Sequence, residues 1–173
     1  MVKKTTKYSS KDLGKWLIKK ADEARNPRIA RKILVGNDQR ARSNALFGRL
    51  YFFKYNPLYG EQMTKYDKFP MVLLIKMYPN GFLGLNLHYL SPAKREALLD
   101  LMIELNPTDP IGNNYKFDIT WDKIIAFSEL EALATPCVHR YRFDRCRSRF
   151  IQIYPHEFDM AIQLPVEDWV YNV

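Results

Sequence analysis

The sequence has few cysteines and no long apolar run, and each scarcity excludes a class of protein. Cys137 and Cys146 are the two cysteines among 173 residues, and they lack CxxC spacing. They are too few for a disulfide framework or a four-thiolate zinc site. The longest apolar run, Met71–Ile75, is far shorter than the roughly 20 residues of a membrane-spanning helix. The N-terminus also lacks a secretory signal, so we expect a soluble protein without a membrane partner.

Sequence motifs of several catalytic classes are also missing. The seven glycines form neither GxxxxGK[ST] nor GxGxxG, so a nucleotide-hydrolysing phosphate loop is not expected. No GxSxG sequence occurs, and no lysine follows an acidic residue by two positions, as it does in one common nuclease arrangement. We therefore predict no cofactor, no metal ion and no catalytic residue.

What the chain does contain is enough apolar residues for a core and an uneven charge. Apolar residues make up 47% of the chain and aromatic residues 14%, which suits one domain with an appendage. Residues 1–45 hold thirteen lysines and arginines against four acidic residues, whereas the remainder holds 14 against 15, within a net charge of +8. We therefore divide the chain into a basic arm, residues 1–45, and one body domain, residues 46–173.

The basic arm is predicted to be helical and amphipathic. Leu13, Trp16 and Leu17 share one face of a helix that Ser10 caps, and this apolar stripe must be covered by the body or by a partner subunit. Such a density of positive charge is typical of nucleic-acid binding; an acidic protein partner and a merely solvated helix face are the alternatives. The candidate phosphate ligands of the arm are Lys15, Lys19, Arg28, Arg31 and Lys32.

A second basic cluster occupies residues 137–149 and precedes an acidic segment, residues 151–173, that has no lysine or arginine. Arginines alternate with aromatic residues here, which favours phosphate contact on one face over base stacking. In the alternative, Tyr141, Phe143 and Phe150 belong to the core and the arginines pair with the acidic segment. The candidate phosphate ligands of this cluster are Arg140, Arg142, Arg145 and Arg147.

The body is predicted to be α+β, with a small aromatic-rich antiparallel sheet, or a partly open barrel, covered by helices. Tyr78-Pro79-Asn80-Gly81 is a turn signal, and Pro165 is predicted to begin a last helical turn that buries Trp169. Helices are expected to begin at Ser91-Pro92, Thr120 and Pro155. The expected strands are Leu50–Tyr55, Met71–Met77, Phe82–Tyr89 and Phe150–Tyr154.

The histidines and two acidic residues are the remaining candidates for chemistry. Asp118 and Asp122 can share a helix face, but such a pair is more often a solvated helix start. A lone histidine is more often a hydrogen-bonded structural residue than a catalytic one. A metal-dependent nuclease with an unrecognised site around His88, His139 and Asp67 stays open as a third hypothesis.

Several sequence blocks carry a resemblance to a known family. They are Gly48–Pro57, Tyr66–Leu73, Gly81–Leu90, Arg147–Phe150 and Leu164–Glu167. These blocks resemble virion-associated or DNA-end-associated proteins of T-even-type tailed bacteriophages, the myoviruses. The resemblance runs from Gly48 to the C-terminus and leaves the basic arm outside. It implies a phage setting and assigns no catalytic residue.

Together, these features predict a non-enzymatic virion protein, made in the host cytoplasm, that contacts packaged DNA or its end at the head or neck. Its expected partners are the DNA phosphate backbone and neighbouring virion subunits. A structural adaptor of the tail or baseplate, acting through the Leu13, Trp16 and Leu17 face, is the rival hypothesis.

Overall fold

A six-stranded antiparallel sheet organises the part of the chain that the computed structural model describes, residues 28, 31, 32, 35, 41–105 and 116–172. The strand order is β1-β7-β2-β4-β5-β6. The strands are β1 (Ala41–Arg42), β2 (Leu50–Phe52), β4 (Met71–Tyr78), β5 (Gly81–Asn86), β6 (Val138–Arg142) and β7 (Phe150–Ile153). The strands β1 and β6 are the two edges of this sheet, so among the described residues it does not close into a barrel.

The centre of the sheet is the predicted set of three antiparallel strands. Leu73 pairs with Leu50 of β2 on one side and with Leu85 of β5 on the other. The β4–β5 hairpin closes at the predicted turn, where Tyr78 pairs with Gly81. A Cβ atom at Gly81 would lie 1.9 Å from the carbonyl oxygen of Tyr141, so the close approach of β6 depends on glycine at this position.

Both faces of the sheet are buried, which explains why its central strands are nearly continuous apolar runs. One face, which carries Leu50, Phe52 and Leu73, packs against the helices. On the opposite face, Phe53 is the centre of an aromatic cluster, with ring centroids 5.1–6.1 Å from its neighbours. Those neighbours are Tyr55, Phe82, Tyr141 and Phe150.

Short helices cover the first face. They are α1 (Pro92–Glu104), α2 (Trp121–Ile125), α3 (Ser128–Ala134) and α4 (Phe158–Ala161). Helix α1 begins as predicted, with Ser91 at its N-cap and Pro92 in its first turn, and buries Leu98, Leu99 and Met102. Helix α2 is capped by Thr120, whose hydroxyl accepts a hydrogen bond from the amide of Lys123. No helix within the described ranges is both long and apolar enough to cross a membrane.

A buried arginine joins α1 to the C-terminal segment. Arg95 is 3% exposed, and its guanidinium donates hydrogen bonds to the carbonyl oxygens of Leu87, Leu90 and Ile162. It also forms an ion pair with Glu167. The geometry uses the planar, multiply donating guanidinium, which a lysine cannot imitate.

Three predictions of local structure were wrong, and a second sheet accounts for the first of them. Strand β3 (Lys65–Asp67) pairs antiparallel with β8 (Trp169–Tyr171), so the expected last helical turn is a strand. The strand expected to reach Tyr89 ends at Asn86, whose side chain accepts a hydrogen bond from the amide of His88 and starts a 3-10 turn. The helical stretch from Thr120 is interrupted between α2 and α3.

Candidate nucleic-acid interface

A cleft of about 390 Å³ brings four cationic side chains together from three parts of the sequence. Arg31, Lys54, Lys68 and Arg147 line it, and Asp168 is the one acidic residue at its wall. Its remaining lining residues are Tyr55, Asn56 and Phe69. The cleft is therefore a strongly positive depression, and anionic ligands are the class that it suits.

Alternating burial after β2 points Lys54 outward. Phe53 and Tyr55 are buried in the aromatic cluster, so the intervening Lys54 is exposed. The Lys54 amide donates to the hydroxyl of Ser148 at 2.8 Å, and the Lys54 carbonyl accepts from the Arg147 amide at 2.7 Å. Two cations far apart in sequence are thereby held side by side by backbone contacts.

Lys68 is placed by the same alternation and by the segment before β8. It is exposed between the buried residues Asp67 and Phe69. The Lys68 carbonyl accepts a hydrogen bond of 2.9 Å from the amide of Tyr55, and the Lys68 amide donates one of 2.8 Å to the carbonyl of Asp168. The backbone on both sides of the cleft is thus cross-linked.

Arg31, a residue of the predicted basic arm, also lines this cleft. Its guanidinium donates to the carbonyl oxygens of Val166 and Glu167, at 3.3 and 2.8 Å, and lies 3.6 Å from a carboxylate oxygen of Asp168. Arg28 and Lys32 have helical backbone and are exposed. Other candidates of the arm lie outside the described residues: Leu13, Lys15, Trp16, Leu17 and Lys19.

The four arginines of the second cluster do not share one surface. Arg147 lines the cleft, whereas Arg140 is exposed and stacks 3.9 Å from the ring centre of Tyr78. Arg142 forms a two-pronged ion pair with Asp144, with contacts of 2.9 and 2.8 Å. Arg145 is half-buried and lines a neighbouring groove. The four arginines of the cluster therefore have four different settings.

The alternative made two predictions: that Tyr141, Phe143 and Phe150 belong to the core, and that the arginines pair with the acidic segment. Tyr141 and Phe150 are buried in the aromatic cluster, whereas Phe143 is 36% exposed. Within the described residues, Glu167 pairs with Arg95 and Asp168 pairs with Arg31. Arg142 of the second cluster pairs instead with Asp144, a neighbour in the sequence.

The groove beside the cleft offers an exposed ring. It has a volume of about 350 Å³, and the cleft and the groove share Asn56 in their walls. Tyr59 in this groove is 62% exposed, and Leu58 beside it is 38% exposed. A flat aromatic surface next to a cationic cleft is a common arrangement for contact with nucleic-acid bases.

Asp67 and His88, two of the three residues of the nuclease hypothesis, are in contact but inaccessible. Oδ2 of Asp67 lies 2.6 Å from Nδ1 of His88, and neither side chain has exposed area. Oδ1 of Asp67 accepts hydrogen bonds from the amides of Phe69 and Asp168. Burial alone would raise the pKa of the Asp67 carboxyl, but its contacts with His88 and these two amides outweigh burial and lower it.

The third residue of that hypothesis, His139, lines a small cavity with Asp67, Asn86 and Tyr89. Its volume of about 70 Å³ admits water molecules but is well below the roughly 300 Å³ of a small-molecule site. Burial lowers the pKa of His139. Across the described residues, no three metal-ligating side chains come together. We interpret this set as structural.

Sequence reasoning missed Lys54 and Lys68, although a signal for them was present. Each is a single cation between buried residues, in Phe53-Lys54-Tyr55 and Asp67-Lys68-Phe69. Counting charge by segment overlooks such residues, because the body as a whole is close to neutral.

Comparison with known proteins adds a family to this geometry. The model of the family described as phage T4 terminal DNA protecting protein matches residues 19–172. No curated protein and no solved structure matches the chain. The match reaches into the basic arm, so the expectation that the family resemblance begins at Gly48 was wrong. The rest of that resemblance is confirmed: the chain belongs to the phage T4 terminal DNA protecting protein family.

Proposed function

We propose that this protein binds the ends of linear phage DNA and shields them from exonucleases. The observation that carries the proposal is the convergence of Arg31, Lys54, Lys68 and Arg147 on one cleft in a member of a DNA-protecting family. An enzyme that degrades DNA from its end must first reach the terminal nucleotide. A protein that occupies this nucleotide prevents that step without any chemistry of its own.

Phosphate contacts around the cleft supply affinity in this proposal. Four cations at the cleft account for only part of the positive charge, and phosphates beyond the terminal one need further cations. The arm, residues 1–45, contributes Lys15, Lys19, Arg28 and Lys32 to the duplex that leads away from the cleft, and the body, residues 46–173, holds the end itself. From the second cluster, Arg140, Arg142 and Arg145 act at the edges of this footprint.

Within this proposal, the protein acts in the virion, on packaged DNA at the head or neck, after synthesis in the host cytoplasm. Leu13, Trp16 and Leu17 contact neighbouring virion subunits in this proposal, because an amphipathic helix needs a surface that covers its apolar stripe. The arm then binds DNA through its cations and virion subunits through its apolar face.

The test is a protection assay with the full chain. Linear duplex, relaxed circular duplex and a duplex closed by hairpins at both ends are compared for binding across a salt series. The linear duplex is then treated with a 5′→3′ and a 3′→5′ exonuclease. The full chain is needed because β1 pairs with β7 in the large sheet. A shortened protein that begins at Asn44, made to remove the basic arm, would also lack β1.

We expect binding that weakens steeply with salt, a preference for linear over closed duplex, and slower digestion by at least one exonuclease. Equal affinity for linear and closed duplex would contradict the proposal, and binding to virion proteins without DNA affinity would favour the structural adaptor. Cleavage of DNA with Mg²⁺ or Mn²⁺ in the absence of exonuclease would revive the nuclease hypothesis.

A further inference from the structure

We propose that the cleft is a site for the terminal phosphate of a DNA end, a phosphomonoester, rather than for phosphodiesters along the duplex. This inference rests on the proposed function and names the chemical group by which an end is recognised. Its ligand is one charged group attached to one nucleotide, which enters the cleft from the end of the chain.

Three of the four cations that line the cleft can bind an anion. Arg31 is already committed to Asp168 and to two carbonyl oxygens. Among the described residues, the ammonium groups of Lys54 and Lys68 form no ion pair. Arg147 uses one guanidinium nitrogen for the carbonyl of Asp144 at 3.3 Å and keeps further donors. Three cations therefore remain for one anion.

The charge of the cleft matches that of a phosphate monoester. A phosphate monoester carries a charge of about −1.5 to −2 near neutral pH and presents three acceptor oxygens, whereas a phosphodiester inside the chain carries one negative charge. Three cations with many donors match the monoester better. A terminal phosphate also has a chain on one side only, so it can enter a depression that a continuous backbone passes over.

The cleft is small, and the backbone of its walls is cross-linked. The cleft, at about 390 Å³, lies at the lower end of the range of small-ligand sites and is much too small to enclose a duplex. Its walls are joined by the backbone hydrogen bonds of Lys54 with Arg147, Tyr55 with Lys68 and Lys68 with Asp168. These hydrogen bonds fix the backbone from which the cations extend, so the entropy lost when the phosphate enters is that of the side chains and not of the chain that carries them.

In this proposal the neighbouring groove accommodates the terminal base. Because the cleft and the groove share Asn56, a phosphate in the cleft leaves its nucleoside close to the exposed ring of Tyr59. Stacking of a base on this ring requires no base-specific hydrogen bond, which suits a protein that must bind an end regardless of sequence.

The experiment compares duplexes that have one open end and are closed by a hairpin at the other. The open end carries a 5′-phosphate, a 3′-phosphate or hydroxyl groups alone, and a duplex closed at both ends is included. Dissociation constants of the full wild-type chain are measured at one salt concentration. We expect one of the two phosphorylated ends to bind about tenfold or more tightly than the hydroxyl end.

Variants then locate the effect. Lys54→Ala and Lys68→Ala are expected to remove most of the preference for the phosphorylated end. Lys94→Ala, which changes an exposed lysine of α1 that lines none of the cavities above, is expected to keep it. Circular dichroism and thermal unfolding confirm that each variant is folded, and the wild-type comparison of end types does not depend on any variant.

The outcomes separate this inference from the proposed function. Tighter binding of open than of closed duplex, with equal affinity for all three open ends, would overturn the terminal phosphate site and leave end binding in place. Equal affinity for open and closed duplex would overturn both. A phosphate preference that survives in both folded lysine variants would overturn the assignment to this cleft.

Discussion

The backbone amide of Arg147 donates a hydrogen bond of 2.7 Å to the carbonyl oxygen of Lys54. This one contact sets two cations of the cleft side by side, although one follows β2 and the other precedes β7. Since a backbone contact sets the points from which the two side chains extend, both cations are held near the cleft before any ligand arrives.

Reversing one charge in the cleft should reduce the salt dependence of DNA binding. Lys54→Glu removes a phosphate contact, so the slope of log K against log salt should fall in magnitude by about one. The measurement is a titration of linear duplex at several salt concentrations. Lys94→Glu makes the same change in net charge on α1 and should leave the slope nearly unchanged; equal flattening by both variants would show that only overall charge matters.

Replacing Ser148 should weaken the hydrogen bonding that holds the backbone of the cleft together. Its hydroxyl accepts the hydrogen bond of the Lys54 amide at 2.8 Å and donates to the carbonyl of Arg149 at 2.9 Å. Ser148→Ala should lower the free energy of unfolding by about 1 kcal/mol, measured by urea denaturation, and weaken binding to DNA ends. The exposed Ser128→Ala is the control, and a similar loss in this variant would count against the specific role of Ser148.

Arg95 should be among the most sensitive positions for stability. Arg95→Met removes the guanidinium donor from three carbonyl oxygens and from the Glu167 carboxylate. We expect a loss of about 3 kcal/mol or more in the free energy of unfolding. The exposed pair of Arg142 with Asp144 provides the comparison: Arg142→Met should leave stability close to that of the wild type. A small effect at Arg95 would contradict the structure.

Stability should fall in two steps as the pH is lowered. Burial lowers the pKa of His139 below its ordinary value of 6.5, so below this pH the unfolded chain takes up a proton that the folded chain does not, and stability decreases. The pKa of Asp67 is lowered from 3.8, so its contribution is present above that pH and is lost as pH falls through the lower folded value.

These two steps can be separated by substitution. His139→Phe keeps a ring against Tyr89, where the centroids lie 4.3 Å apart, and removes the titrating group. Urea denaturation at a series of pH values should show a flatter profile just below pH 6.5 and an unchanged acidic step. Persistence of the wild-type slope in this region would assign it to another group.

The exposed ring of Tyr59 should contribute to DNA binding and little to stability. It is 62% exposed, so Tyr59→Ala should leave thermal unfolding nearly unchanged and weaken binding to DNA ends about tenfold through lost stacking. Phe127 is a matched control, since it is 48% exposed and lies between α2 and α3. Phe127→Ala should bind as the wild type does, and equal losses in both variants would refute a specific stacking role.

Much of the sheet was predictable, because its signals are local. The apolar and aromatic runs of β2 and β4, the Tyr78–Gly81 turn and the Ser91-Pro92 helix start each depend on neighbouring residues. The segment of β8 was mistaken for a helical turn because it is short and forms a strand by pairing with β3, which is distant in the sequence. The end of β5 was misplaced because Leu87 continues the alternation while Asn86 bends the chain.

The candidate site was predictable only in part. Arg31 and Arg147 were named because they stand in basic segments, but Lys54 and Lys68 were not, because each is an isolated charge. The arginines of the second cluster were treated as one group, and the structure separates them: Arg140 stacks on Tyr78, Arg142 pairs with Asp144, and Arg147 lines the cleft.

The sequence by itself determined the α+β class, the aromatic antiparallel sheet and the unequal charge of arm and body, since composition, periodicity and turn residues act over short stretches of chain. Only the tertiary structure decided which cations share a cleft, which acid each arginine contacts, and that Asp67 and His88 are buried together. These relations depend on backbone hydrogen bonds between residues that are distant in sequence, such as Lys54 and Arg147, and no local pattern encodes them.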